Sequence, residues 1–311
     1  MRLPSGSILS LALFLAAPAF AVEPFCKDDL KPGPRELSDF DADAIARKID
    51  SKKLSLKQVD SQDVSRVIGL ARGKSYIVRM EGSFPMLEDF GIKAHGFDLR
   101  TRVKRDVATG VLDRLLGFNL VPEIKLTRIA GKAASIQVEV GGDRVEFMSA
   151  AHYQPYVTKT IRRNPETALR HKAELERMAV LDIISGNTDR NITNFIYDET
   201  RGRIWAIDHA DTFPLVEKSP GNHWFWLHWA EDLAGPLEPA LRAKILALDA
   251  KSLAEKMRRK NLLEEAALSA MVRRISLLQA DVITHPEASM REIGGRIERL
   301  IVQFGSGENR P

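Results

Sequence analysis

Apolar positions recur along this chain with two periods, and the switch between them divides it. Ser75–Met80, Val121–Ile129 and Ala134–Val140 carry β-branched residues in the roughly alternating pattern of half-buried strands. Phe90–Ala94 predicts another short strand, and Gly141-Gly142-Asp143 a turn into a further one over Arg144–Met148. Among these strands, Val103, Val107, Val111, Leu112, Leu115 and Leu116 form one stripe, which predicts a helix over Thr101–Leu116 that Gly117 ends. A shorter helix is predicted over Asp39–Asp50, capped by Asp39 or Asp41, with Ile45 and Ile49 on one face. From Asn164-Pro165-Glu166 onward the helical period dominates. One long helix runs to about Ser185, and others follow over roughly 238–247, 250–258, 262–282 and 286–303. A hairpin, Phe195–Tyr197 with Arg203–Ile207, interrupts them.

This order predicts an α+β chain of two lobes, a β-rich N-lobe over 60–150 and a helical C-lobe over 151–304. Arg2, the apolar run Ile8–Phe20 and Ala19-Phe20-Ala21 have the form of an export signal over 1–21, cleaved near Ala21. Residues 22–59 then read as an N-terminal extension holding the short helix, and 305–311 as a disordered tail. The expected product is a periplasmic or secreted protein. The single cysteine, Cys26, excludes an intrachain disulfide. A net charge of +4 and the lack of any nucleic-acid-binding signature argue against a nucleic-acid partner. They leave room for peripheral contact with anionic lipid.

Candidate chemistry concentrates in Asp189-Arg190-Asn191-Ile192-Thr193-Asn194 and in Ile207-Asp208-His209. An Asp, an Asn five residues on, and a second Asp closing an apolar run are what phosphoryl transfer from ATP needs. One carboxylate orients the acceptor hydroxyl, while an amide and the other carboxylate hold the metal. Asn187 reads as a loop brace. Arg190 has two readings, a phosphate-neutralising cation or a structural partner of Asp182 or Asp208.

Residues 181–214, LDIISGNTDRNITNFIYDETRGRIWAIDHADTFP, resemble the catalytic segment of the phosphatidylinositol 3-/4-kinase-like kinases. The type II phosphatidylinositol 4-kinases and actin-fragmin kinases are the branches it is most similar to. The resemblance implies a two-lobed protein-kinase-like fold, with ATP and Mg²⁺ or Mn²⁺ between the lobes. Asp189 would be the catalytic Asp, and Asn194 and Asp208 the metal ligands. It also implies a phosphate-binding lysine, assigned to Lys93 in Gly91-Ile92-Lys93-Ala94, braced by a helix carboxylate. Arg105-Asp106-Val107-Ala108 through Leu115-Leu116-Gly117 to Val121-Pro122 follows the family shape, so Asp106 takes that place, where relatives have Glu. Gly69, Gly73 and Ser75 are the candidate phosphate-covering loop. Ala210 stands where many relatives have Gly. The acceptor is a lipid or a protein.

Two other classes compete. A nucleotide-binding pseudokinase suits an exported chain, since a periplasm holds little ATP. A metal-dependent hydrolase would need Asp208, His209 and a second histidine to converge. The aromatic run His223–Trp229 reads either as a core helix or as an acceptor- or membrane-facing wall.

Overall fold

Asp41 accepts the Ala44 amide and so starts α1 (Ala42–Asp50), the first element of the computed structural model. The structure describes residues 40–58, 64–68, 75–81, 101–140, 163–198, 203–215, 233 and 235–307. All belong to the second of two units, Met1–Arg35 and Glu36–Pro311. The leader, Cys26, the strands expected at Phe90–Ala94 and Arg144–Met148, and the run His223–Trp229 lie outside the described residues.

Five strands, β1 (Ser55–Gln58), β2 (Val64–Ile68), β3 (Tyr76–Met80), β4 (Ile124–Ile129) and β5 (Lys132–Val138), form an antiparallel sheet in the order β1-β2-β3-β5-β4. The sheet starts ahead of the expected boundary at residue 60. β1 is polar and exposed apart from half-buried Leu56, so an edge strand left almost no apolar pattern to read. α1 lies on β4: Lys125 donates to the Phe40 carbonyl (2.6 Å), Thr127 to Asp43 (2.6 Å), and the Ala130 amide to Asp50 (2.9 Å). The extension is therefore part of the sheet's own core, with Phe40, Ile45, Tyr76, Val78 and Ile136 buried together.

α2 (Arg102–Leu116) joins β3 to β4 and ends at Gly117, whose φ of +66° is left-handed. Its buried Val107, Ala108, Leu112 and Leu116 belong to the larger core, shared with the helical half. That half holds α3 (Pro165–Ser185), the hairpin β6 (Phe195–Asp198) and β7 (Arg203–Ala206), then α4 (Pro239–Leu246), α5 (Ala250–Arg258), α6 (Glu265–Thr284) and α7 (Met290–Gly307). The α+β class and the two-lobed layout follow from this order. α7 passes residue 305, where the tail was expected to begin. Its buried stripe of Ile293, Ile297 and Ile301 carries the helix on, against a glycine cost of about 1 kcal/mol per residue. No helix among the described residues is long and apolar enough to cross a membrane.

Between the halves, buried Asp113 of α2 accepts the amides of Leu120 and Val121, both at 3.1 Å, and so fixes the turn into β4. The same turn holds the hairpin, since the Ala206 amide donates to the Leu120 carbonyl (2.9 Å). Burial pushes the Asp113 carboxyl up to about 6, although the two amides and nearby Arg114 and Arg203 pull it back. A raised acid keeps its proton in the native state over a window where the unfolded chain has lost it. Asp113 therefore contributes less stability as pH rises from its unfolded value towards about 6. The stability advantage of the native protein over Asp113→Asn should narrow from about pH 4 to about pH 6 in parallel thermal melts.

Candidate active site

α3 stops at Gly186, in the left-handed conformation (φ +63°). A Cβ there would also approach the Arg274 guanidinium carbon at 2.7 Å, so the position suits only glycine. The chain then enters the loop 187–194 around the fully buried Arg190. Its Nε pairs with the equally buried Asp182 of α3, at 3.0 Å from Oδ2 and 3.2 Å from Oδ1. Nη1 donates to the carbonyls of Asn194 and Ile207, and Nη2 to His209 Nδ1 (3.1 Å). Of its two readings, the structural partnership with Asp182 is the observed one. Asn187 braces the loop as expected: its amide donates to Asp182 (2.9 Å) and its oxygen accepts the Asp189 amide (2.9 Å).

Asp189 is half-buried and held at both oxygens. Asn191 donates to Oδ1 (3.0 Å), and Asn194 to Oδ2 (3.1 Å) and to the Asp189 carbonyl (2.7 Å). This turns the Asn194 nitrogen to Asp189 and leaves its oxygen as an acceptor. Burial raises the Asp189 carboxyl above the ordinary Asp value; the amides pull it down, and the charges of Asp211 and Asp208 push it up further. The Ile207 amide donates to the Asn194 carbonyl (3.1 Å), so the end of the loop and the end of the hairpin are joined just before Asp208.

Asp208 sits in the left-handed region (φ +54°), uncommon for a side-chain-bearing residue and most accessible to Asp and Asn. Its side chain keeps 39% of its surface exposed, so it faces an opening, unlike Asp182. Burial pushes its carboxyl up, but Arg79, aided by Arg102, overrides that and holds it below the usual range. His209 is fully buried, and burial with Arg190 beside it holds its ring down to about 3. The neutral ring accepts from Arg190 and donates through Nε2 to the Ala206 carbonyl (3.0 Å). Ala210 has no positive φ; the left-handed steps after the hairpin fall on Asp208 and Phe213, so alanine at 210 imposes no backbone strain.

α2 is fastened along this loop. Arg105 donates to the Ala210 carbonyl (2.9 Å), the His209 amide to Asp106 (3.2 Å), and Thr109 bonds Thr212 (2.9 Å). Asp106 also takes Ser135 (3.4 Å) and the Arg79 guanidinium (3.7 Å). Arg79 Nη2 reaches Asp208 Oδ1 at 2.9 Å. Arg79, from β3, thus spans Asp106 and Asp208. Lys93, Gly69 and Gly73 lie outside the described residues. Ser75 is described, and its hydroxyl donates to Glu139. Sequence reasoning missed Arg79. The available signal was one charged residue inside the otherwise uncharged strand Tyr-Ile-Val-Arg-Met.

A divalent cation fits the donors. Asp208, Asn194 and Asp189 offer hard oxygens, with Asp211 adding negative charge nearby. Among the described residues no three His, Cys, Asp or Glu side chains converge to hold a metal unaided. Mg²⁺ in nucleotide sites uses one or two carboxylates plus phosphates and water. The hydrolase arrangement fails at His209, whose two ring nitrogens are both engaged inside the protein.

No protein-family model matches the chain, and no curated protein does. Solved structures that resemble it include a Helicobacter pylori proinflammatory kinase, CtkA, at 10% identity and TM-score 0.44, covering 79% of this chain and 96% of that one. The FAT and kinase domain of CtTel1 follows at 13% identity and TM-score 0.31, covering 82% of this chain and 21% of that one. A putative aminoglycoside phosphotransferase from Ralstonia eutropha is 14% identical at TM-score 0.26, covering 80% and 90%.

The loop's dependence on its buried ion pair is measurable. Arg190→Met strands a buried carboxylate and should cost about 3–5 kcal/mol in urea unfolding. Arg190→Met combined with Asp182→Leu should recover part of that loss, because no unpaired charge remains.

Proposed function

We propose that the chain is an ATP-dependent phosphotransferase of the phosphatidylinositol 3-/4-kinase-like type, acting on a hydroxyl of a lipid or protein. One observation carries the reading: Asp189 and Asn194 are bonded to each other where the hairpin's first strand begins, and the part-exposed Asp208 follows its second strand at the same end, where Phe195 pairs with Ala206. Bound Mg²⁺ or Mn²⁺ would bridge phosphate oxygens and offset the charge of transfer.

Asn194, through its side-chain oxygen, which now accepts the Thr193 hydroxyl (3.4 Å), and Asp208 are the residues to hold that metal. Asp189 orients the acceptor hydroxyl and receives its proton at a carboxylate that burial makes more basic than usual. Asp106 braces the strand cation from α2. Lys93, Gly69, Gly73 and Ser75 remain the proposed nucleotide contacts of the small lobe. The leader-like residues 1–21 support action outside the cytoplasm, after cleavage near Ala21, and mild basicity supports contact with an anionic lipid surface.

The test is ATP consumption with Mg²⁺ or Mn²⁺, with labelled phosphate followed into a phosphoinositide mixture and a generic protein. Asp189→Ala should lose transfer by at least about a hundredfold while binding a fluorescent ATP analogue as the native protein does. Asp208→Ala should lose transfer and metal-dependent nucleotide binding together. Full turnover in Asp189→Ala would refute the assignment. Nucleotide binding without turnover in the native protein would leave a pseudokinase.

A further inference from the structure

We infer that Arg79 is an internal counter-ion of the metal-facing carboxylate: it excludes divalent metal alone and moves onto phosphate when metal and nucleotide arrive together. The inference rests on the nucleotide-binding reading above. It adds to that reading a residue no resemblance supplied and an order of binding.

The placement is the argument. Arg79 sits in the middle strand of the sheet, paired in register with Ser135 of β5, and its side chain is only 8% exposed. Its guanidinium lies 3.7 Å from Asp106 on α2 and 2.9 Å from Asp208 on the loop after the hairpin. One cation therefore bridges carboxylates from two segments more than a hundred residues apart. A buried charge is tolerated only when paired. Asp106 supplies the permanent partner, being buried, bonded to Ser135 and held by the His209 amide.

Asp208 is the exchangeable partner. It faces an opening, and it is the carboxylate a metal would require. A divalent ion arriving alone meets a carboxylate whose charge a guanidinium at hydrogen-bonding distance already offsets, and it sets a second positive charge beside that cation. Metal arriving with nucleotide brings phosphate oxygens, to which a planar fork of donors is well matched. The guanidinium then gives up Asp208 for phosphate while keeping Asp106, so no charge is left unpaired at any stage.

The experiment uses the full chain in two arms: Mn²⁺ alone followed by paramagnetic resonance, and a fluorescent ATP analogue titrated with and without Mn²⁺. The native protein should bind Mn²⁺ weakly alone and markedly better with nucleotide. Arg79→Met should bind Mn²⁺ alone about tenfold tighter, and lose that gain when Asp208→Asn is added. Its affinity for the Mn²⁺–nucleotide complex should fall about tenfold or more, the loss of a charge-assisted hydrogen bond.

Arg79→Lys keeps the charge but not the fork. It should still exclude Mn²⁺ and bind the complex less tightly than the native protein. Native-like values for Arg79→Met in both arms overturn the inference. Should Arg79→Met not fold, Arg79→Lys decides: admission of Mn²⁺ alone, with native nucleotide affinity, overturns it equally. A native protein that binds no nucleotide sinks the phosphotransferase reading instead. The Mn²⁺-alone arm contains no nucleotide and so decides the counter-ion role independently.

Discussion

The buried ion pair of Arg190 with Asp182 is the constraint on which the rest of the site is built. Taking both charges out of water is expensive, and their mutual attraction alone seldom offsets it. Here the guanidinium also satisfies the carbonyls of Asn194 and Ile207 and the ring of His209. One side chain thereby ties the end of α3, the loop, the hairpin and the segment after it. Asp189, Asn194 and Asp208 owe their positions to a residue that has no exposed surface.

Charge is distributed around that frame in a consistent way. The carboxylates that would meet metal or substrate have surface open to solvent. Those that only hold structure, Asp113 and Asp182, are closed off and take their partners from amides or a guanidinium. Asp106 lies between these classes, buried like a structural acid but bonded to the cation that reaches Asp208.

Much of this was legible in the sequence, for identifiable reasons. The long amphipathic elements declared themselves by period, so α2, α3 and the hairpin fall within a few residues of expectation. The expected glycine stop at Gly117 is left-handed, the usual job of a helix-ending glycine, and Gly186 ends α3 in the same way. The grouping of Asp189 with Asn194 was readable because the loop is short and local. What spacing does not encode is pairing across the sheet. β1 was lost because an exposed edge has no alternation to detect. Arg79 was lost because the search for a cation followed a family pattern to Lys93, which lies outside the described residues, while the cation described against Asp106 comes from a strand more than twenty residues before that helix acid.

The stitching of α2 to the loop after the hairpin carries a mechanical consequence. Arg105, Asp106 and Thr109 grip Ala210, His209 and Thr212 within little more than one turn of helix, and Ala108, Leu112 and Leu116 of the same helix pack into the larger core. Such a helix cannot swing outward as a hinged gate without breaking all three grips and opening that core. The two acidic centres it connects travel as one rigid body. Any on–off control of this protein is thereby displaced from the helix to the parts around the opening, and the helix serves as its fixed axle.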